Sequence, residues 1–139
     1  MLTNQEKRVY RECRRDGWTA SHSLAHARVW ARFEALRDAG KVQLRMEPDA
    51  FADLGDLLGD CFDETLNAHC PGGVRALRAR KKAYLDRIEW DGVWGAVVER
   101  LCPVCGQWEQ VDAIWGFIGD DFKGSGYDTD LMAAAVDAV

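Results

Sequence analysis

The sequence predicts an α+β fold: a three-stranded antiparallel sheet, at about 41–47, 93–101 and 107–118, packed by four or five helices in a single domain spanning 1–139. Three observations predict it. Two apolar runs, Val93 to Leu101 and Trp108 to Phe117, flank a short Cys102-Pro-Val-Cys105-Gly106 turn, which is the pattern of an antiparallel hairpin. Lys41 to Glu47 alternates strictly, with Val42, Leu44 and Met46 on one side and Lys41, Gln43, Arg45 and Glu47 on the other, the period of a half-buried strand. Elsewhere the apolar residues recur at helical spacing. The stretch Trp90 to Ile118 holds four of the six tryptophans, and Trp94, Trp108 and Trp115 are expected to hold the sheet together.

In chain order, Thr3-Asn-Gln-Glu6 is a capping box that starts a helix reaching about Arg15, with Gly17 as its stop. Thr19 and Ser21 offer caps for a second helix to about Ala39, ended by Gly40. Its face with His22, His26, Val29, Trp30, Phe33 and Leu36 should be buried. Pro48 ends the first strand, because proline cannot donate to a ladder. Asp49 to Glu64 then spaces Phe51, Leu54, Leu57, Leu58 and Phe62 as a short helix or helical turns, weakened by Gly55 and Gly59. After the Pro71-Gly72-Gly73 turn, Val74, Leu77, Tyr84 and Ile88 form a helical stripe to about Trp90, and Asp91-Gly92 breaks it. Gly119 to Gly126 reads as an exposed loop, and a last helix from about Asp128 to Ala138 should pack Leu131, Met132 and Val136 on the sheet.

A chain of 139 residues with 47% hydrophobic and 29% charged residues has enough apolar surface for one core and is neither disordered nor membranous. No apolar run approaches the roughly 20 residues of a spanning helix, and MLTNQEKRVYRECRR lacks the apolar segment of a secretory signal, so a cytoplasmic protein is expected. Five cysteines without an export signal favour reduced thiols or a metal over a disulfide framework. The net charge of -5 hides alternating blocks. Residues 1–45 carry ten bases and five acids, 46–73 seven acids and no base, 74–100 seven bases and four acids, and 101–139 one base and seven acids. Such blocks suit electrostatic steering toward a charged partner.

Several motifs bear on chemistry. Helix, glycine turn and helix, with ten bases nearby, resembles a helix-turn-helix, although the chain as a whole is acidic. His22 and His26 have the i, i+4 spacing of a metal pair but lie on an apolar stripe beside Trp30 and Phe33, where partly buried, hydrogen-bonded histidines are the simpler expectation. Cys102-Pro-Val-Cys105-Gly106 resembles a zinc knuckle and is half a site. Cys61, His69 and Cys70 are the donors that would complete it, and free thiols in a turn are the plainer alternative. Catalysis finds little support: no nucleophile elbow surrounds Ser21 or Ser23, Gly124-Ser-Gly126 lacks the lysine of a phosphate loop, and Asp120, Asp121, Asp128 and Asp130 do not fit a calcium loop. The carboxylates Asp49, Asp53, Asp56, Asp60, Asp63 and Glu64, with Asp120, Asp121, Asp128 and Asp130, imitate a run of phosphates and are the candidate partner-binding residues.

The pattern Val93-Trp-Gly95, Gln107-Trp-Glu109, Asp112-Ala-Ile-Trp-Gly-Phe-Ile-Gly-Asp120 and Gly126-Tyr-Asp-Thr-Asp130-Leu-Met resembles that of small accessory proteins carried by phages, plasmids and integrative elements. The resemblance covers the C-terminal third, with an echo in the N-terminal helices, and carries over no catalytic residue. It implies an anti-defence role, foremost an anti-CRISPR-type inhibitor or adaptor that binds a host defence protein or ribonucleoprotein complex without catalysis. The alternative expectation is a DNA-binding regulator using Arg11, Arg14, Arg15, Arg28 and Arg32, with zinc as an optional stabiliser.

Overall fold

The computed structural model describes residues 1–139 and has the expected α+β architecture. The order is α1 (Asn4–Arg15), α2 (Ala20–Asp38), β1 (Val42–Pro48), α3 (Leu54–Leu58), α4 (Gly73–Asp91), β2 (Val93–Leu101), β3 (Trp108–Ile118) and α5 (Tyr127–Asp137). Local chemistry explains the boundaries. The Thr3 hydroxyl accepts from the Glu6 amide at 3.1 Å while the Thr3 amide donates to Glu6 Oε2 at 2.9 Å, so two otherwise orphaned donors are satisfied at the start of α1. Val9 and Cys13, one turn apart, bury the inner face of that helix, and burial pushes the Cys13 thiol pKa up, helped by Asp16, Glu12 and Asp128. Thr19 caps α2 through the His22 amide. The acidic segment after β1 holds only five helical residues, because Asp53 caps α3 at one end and Gly59, at positive φ, ends it.

The sheet order is β1-β2-β3, with β2 central. Hydrogen bonds from Asp49 N to Val93 O and from Leu101 N to Lys41 O, both 2.9 Å, pair β1 with β2 in one register throughout. That register sets Gln43 opposite Glu99 and Glu47 opposite Gly95. The hairpin is less regular. Cys102 N donates to Gln107 O at one end and Gly119 N to Gly92 O at the other, so β3 carries two more residues than β2 over the same span and must bulge. Gly116, at φ +90°, supplies a conformation that other residues avoid. Trp108 and Trp115 on β3 are both partly exposed and lie outside the buried core, although Trp115 packs across the sheet on Gly95 of β2.

Two compact units partition the chain. The first comprises 1–46, 96–114 and 122–139, the second 47–95 and 115–121. Within the first, Val9, Cys13 and Ala27 form a buried cluster flanked by Tyr10, Trp18 and Trp30, and α2 packs on both α1 and α5. Phe33, Leu131, Met132, Val42, Val97 and Val98 are its largest fully buried apolar side chains. The second unit buries only Leu77 and Ile118 among apolar side chains. Tyr84, partly buried there, donates to Leu57 O at 3.1 Å and lies 5.3 Å from the Phe62 ring. No helix is long and apolar enough to cross a membrane.

Candidate partner-binding surface

An open groove of about 530 Å³ in the second unit is lined by Glu47, Pro48, Asp49, Ala50, Phe51 and Trp115. Its walls follow from the sheet. Pro48 terminates β1 and sends the chain into a turn, stabilised by the Asp49 carboxylate accepting from the Phe51 amide at 3.2 Å. That turn throws Phe51 outward, 96% exposed. On β3, the Trp115 indole packs against Gly95, where an added Cβ would lie 2.0 Å from Cε3. Only glycine lets the ring approach so closely. Trp115 nevertheless stays 45% exposed, so the groove presents two aromatic surfaces to water between carboxylates.

The predicted acidic residues divide by what they already hold. Asp53 caps α3, accepting from Gly55 and Asp56 amides, and Asp63 accepts from the Leu66 amide. Glu64 pairs with Arg78, whose guanidinium holds the carboxyl below the usual range. Asp121 receives two bonds from Arg87, which also donates to Ile118 O at 3.1 Å. Asp128 is buried, accepting from the amides of Gly124, Gly126 and Thr129, and so clamps the loop before α5 instead of facing a partner. Asp56, Asp60, Asp120 and Asp130 are exposed, and Asp49 borders the groove. Across the second unit twelve acids face six bases, whereas the first has eleven acids and twelve bases.

Two polar clusters lie in the first unit. His26 is buried, with Nδ1 2.9 Å from Thr129 Oγ1, and its ring sits between those of Trp18 and Trp30. Burial lowers its pKa, Asp128 opposes that, and His22 adds to it. His22 stacks on Trp18 with centroids 4.4 Å apart, so the helical histidine pair is embedded in aromatic packing. Ser23 Oγ and His22 Nε2 are buried without hydrogen-bond partners. On the sheet, Glu99 accepts from Arg45 and Gln43, and both bonds hold its carboxyl pKa down, Arg45 most.

All five cysteines are free thiols, and two of them share a cluster with an acid. Cys102 and Cys105 lie together at the hairpin turn with Glu109, their ligand atoms all within 4.8 Å of one another, and Cys61 and Cys70 are not among them. The amides of Cys105 and Val104 acidify the Cys102 thiol. Sequence reasoning missed Glu109, Gly95 and the exposure of Phe51 and Trp115. For Glu109 a signal existed: once Cys102 pairs with Gln107, strand parity sets Glu109 opposite Arg100 and on the face of Cys102. No family model, curated protein or solved structure matches the chain.

Proposed function

We propose that the protein acts by binding and not by catalysis, as an inhibitor or adaptor of the anti-CRISPR type, docking on a CRISPR effector complex or its nuclease. The observation that carries this reading is the aromatic groove of Phe51 and Trp115, bordered by Glu47 and Asp49, in a unit with twelve acids and six bases. Solvent-facing aromatics are the usual anchors of protein interfaces, and surrounding carboxylates steer a basic partner and suppress wrong ones. A nuclease or effector complex offers such a partner in the Lys and Arg that otherwise hold nucleic acid. The resemblance of the C-terminal third to mobile-element accessory proteins directs the choice among basic partners.

The test is direct binding of the purified protein to purified CRISPR effector complexes and their nucleases, with plasmid survival under CRISPR interference read in parallel. Saturable binding that weakens as salt rises, together with plasmid protection, is expected. Absence of both for every effector type tried overturns the proposal. A second reading, a DNA-binding regulator, has one observation in its favour: Arg11 and Arg15 on α1 and Arg28 and Arg32 on α2 are exposed, at i, i+4 spacing, with no carboxylate partner. Arg14, by contrast, donates to Trp18 O at 2.7 Å and serves the turn. A mobility shift with duplex DNA at moderate salt would favour that reading.

A further inference from the structure

We propose that Cys102, Cys105 and Glu109 form a zinc site at the tip of the β2–β3 hairpin, with a fourth coordination position open to solvent. The backbone builds the turn for it. Gly106 N donates to Cys102 O at 3.0 Å and Cys102 N to Gln107 O at 2.8 Å, closing a loop in which the Cys105 amide points at Cys102 Sγ, 3.5 Å away. Amides aimed at a sulfur stabilise the thiolate, the form that binds metal. Gly106, at φ +71°, lets the chain leave Cys105 and re-enter β3 opposite Cys102.

Glu109 comes from the opposite strand and is already oriented. Arg100 Nε donates to Glu109 Oε2 at 3.1 Å and is itself fixed by a 2.8 Å bond from Nη1 to Ala138 O. One carboxylate oxygen thus has a supporting partner and the other is available to a metal, the arrangement in which an outer group orients an inner ligand. Tetrahedral zinc with Zn–S near 2.3 Å needs sulfurs about 3.8 Å apart, within the span these ligand atoms already share and reachable by side-chain rotation. Two thiolates and one carboxylate suit zinc, whereas magnesium and calcium prefer oxygen alone. Pro103, Val104 and Cys105 are exposed, so the fourth position faces water.

Titration of the reduced full-length protein with Co²⁺, followed by Zn²⁺, tests the site. One equivalent of Co²⁺ should produce thiolate-to-cobalt charge-transfer bands and tetrahedral visible bands, and one equivalent of Zn²⁺ should erase them. Cys102→Ser and Cys105→Ser should each lose the two-thiolate spectrum, and Glu109→Gln should keep the charge-transfer bands but bind about tenfold or more weakly. A Cys61→Ser, Cys70→Ser double variant should titrate like the parent. No charge-transfer band in the parent, bands that survive loss of Cys102, a spectrum that disappears with Cys61 and Cys70, or unchanged affinity in Glu109→Gln would each overturn the assignment. Because Cys102, Cys105 and Glu109 lie at the hairpin tip and Cys61 and Cys70 lie in turns outside the buried core, circular dichroism should show every variant folded.

Discussion

The two units of this chain divide its apolar and charged residues unequally. The first, 83 residues, holds twelve of the fourteen buried apolar side chains and nearly balanced charge, while the second, 56 residues, buries Leu77 and Ile118 and carries twelve acids against six bases. The second also shows Phe51, Leu54, Leu66, Trp90 and Trp115 to solvent. Burial is the dominant favourable term in folding, so the first unit is the scaffold. The second rests more on polar clamps, among them Arg78 with Glu64, Arg87 with Asp121, and Asn67 donating to Asp60 O and Asp63 O. Exposed ion pairs contribute little to stability, because water screens them. A thin core with apolar groups turned outward should make the second unit less protected than the first in hydrogen exchange.

The contrast can be broken or sharpened by substitution. The largest effect is expected from Phe33→Ala in the first core, a loss of about 3–5 kcal/mol in urea unfolding, since the ring is fully buried. Gly95→Ala comes next, at about 1–3 kcal/mol, because the new methyl must displace the Trp115 ring; a shifted tryptophan fluorescence should accompany it. His26 sets a pH dependence in the first unit. Its folded pKa lies below its unfolded value, so the unfolded chain binds the extra proton. Stability is then complete above about pH 6.5 and falls as pH drops through that value toward the folded pKa, by at most ~1.4 kcal/mol per pH unit. Urea midpoints at successive pH values should show the fall, and His26→Gln should flatten it. Smallest is Phe51→Ala, expected within about 0.5 kcal/mol of the parent because the ring is almost wholly exposed. A large loss there would mean that the ring supports the fold and does not serve a partner.

The elements were legible because their signals are local. The Thr3 capping box, the alternation from Lys41 to Glu47 and the paired runs around Cys102 each report on neighbours a few residues apart, and the helices and strands follow them closely. The acidic segment was legible in charge but less so in shape: Asp53 and Gly59 bound α3 at five residues, and in the turns that follow Asp63 accepts from the Leu66 amide. The side-chain directions were harder. The two residues by which β3 exceeds β2 shift its pairing between the ends, and a bulge leaves little trace in an apolar run. Asp128 reads as one more acidic residue beside Asp120 and Asp130, yet the Gly124 to Gly126 loop folds its amides onto that carboxylate and buries it. Cys102 and Cys105 read as half a candidate site, and the third candidate donor came only with the hairpin register that brings Glu109 beside them.

We propose that partner binding belongs to the second unit and stability to the first. The most direct test compares two variants for affinity to a purified CRISPR effector complex, Phe51→Ala with Asp49→Asn in the second unit and Arg11→Ala with Arg15→Ala in the first. Loss of an interface anchor costs about 2 kcal/mol or more, so the first variant should bind roughly 30-fold more weakly, at unchanged urea midpoint, while the second binds like the parent. Full affinity in the Phe51 and Asp49 variant, with binding lost on removing Arg11 and Arg15, would contradict the account.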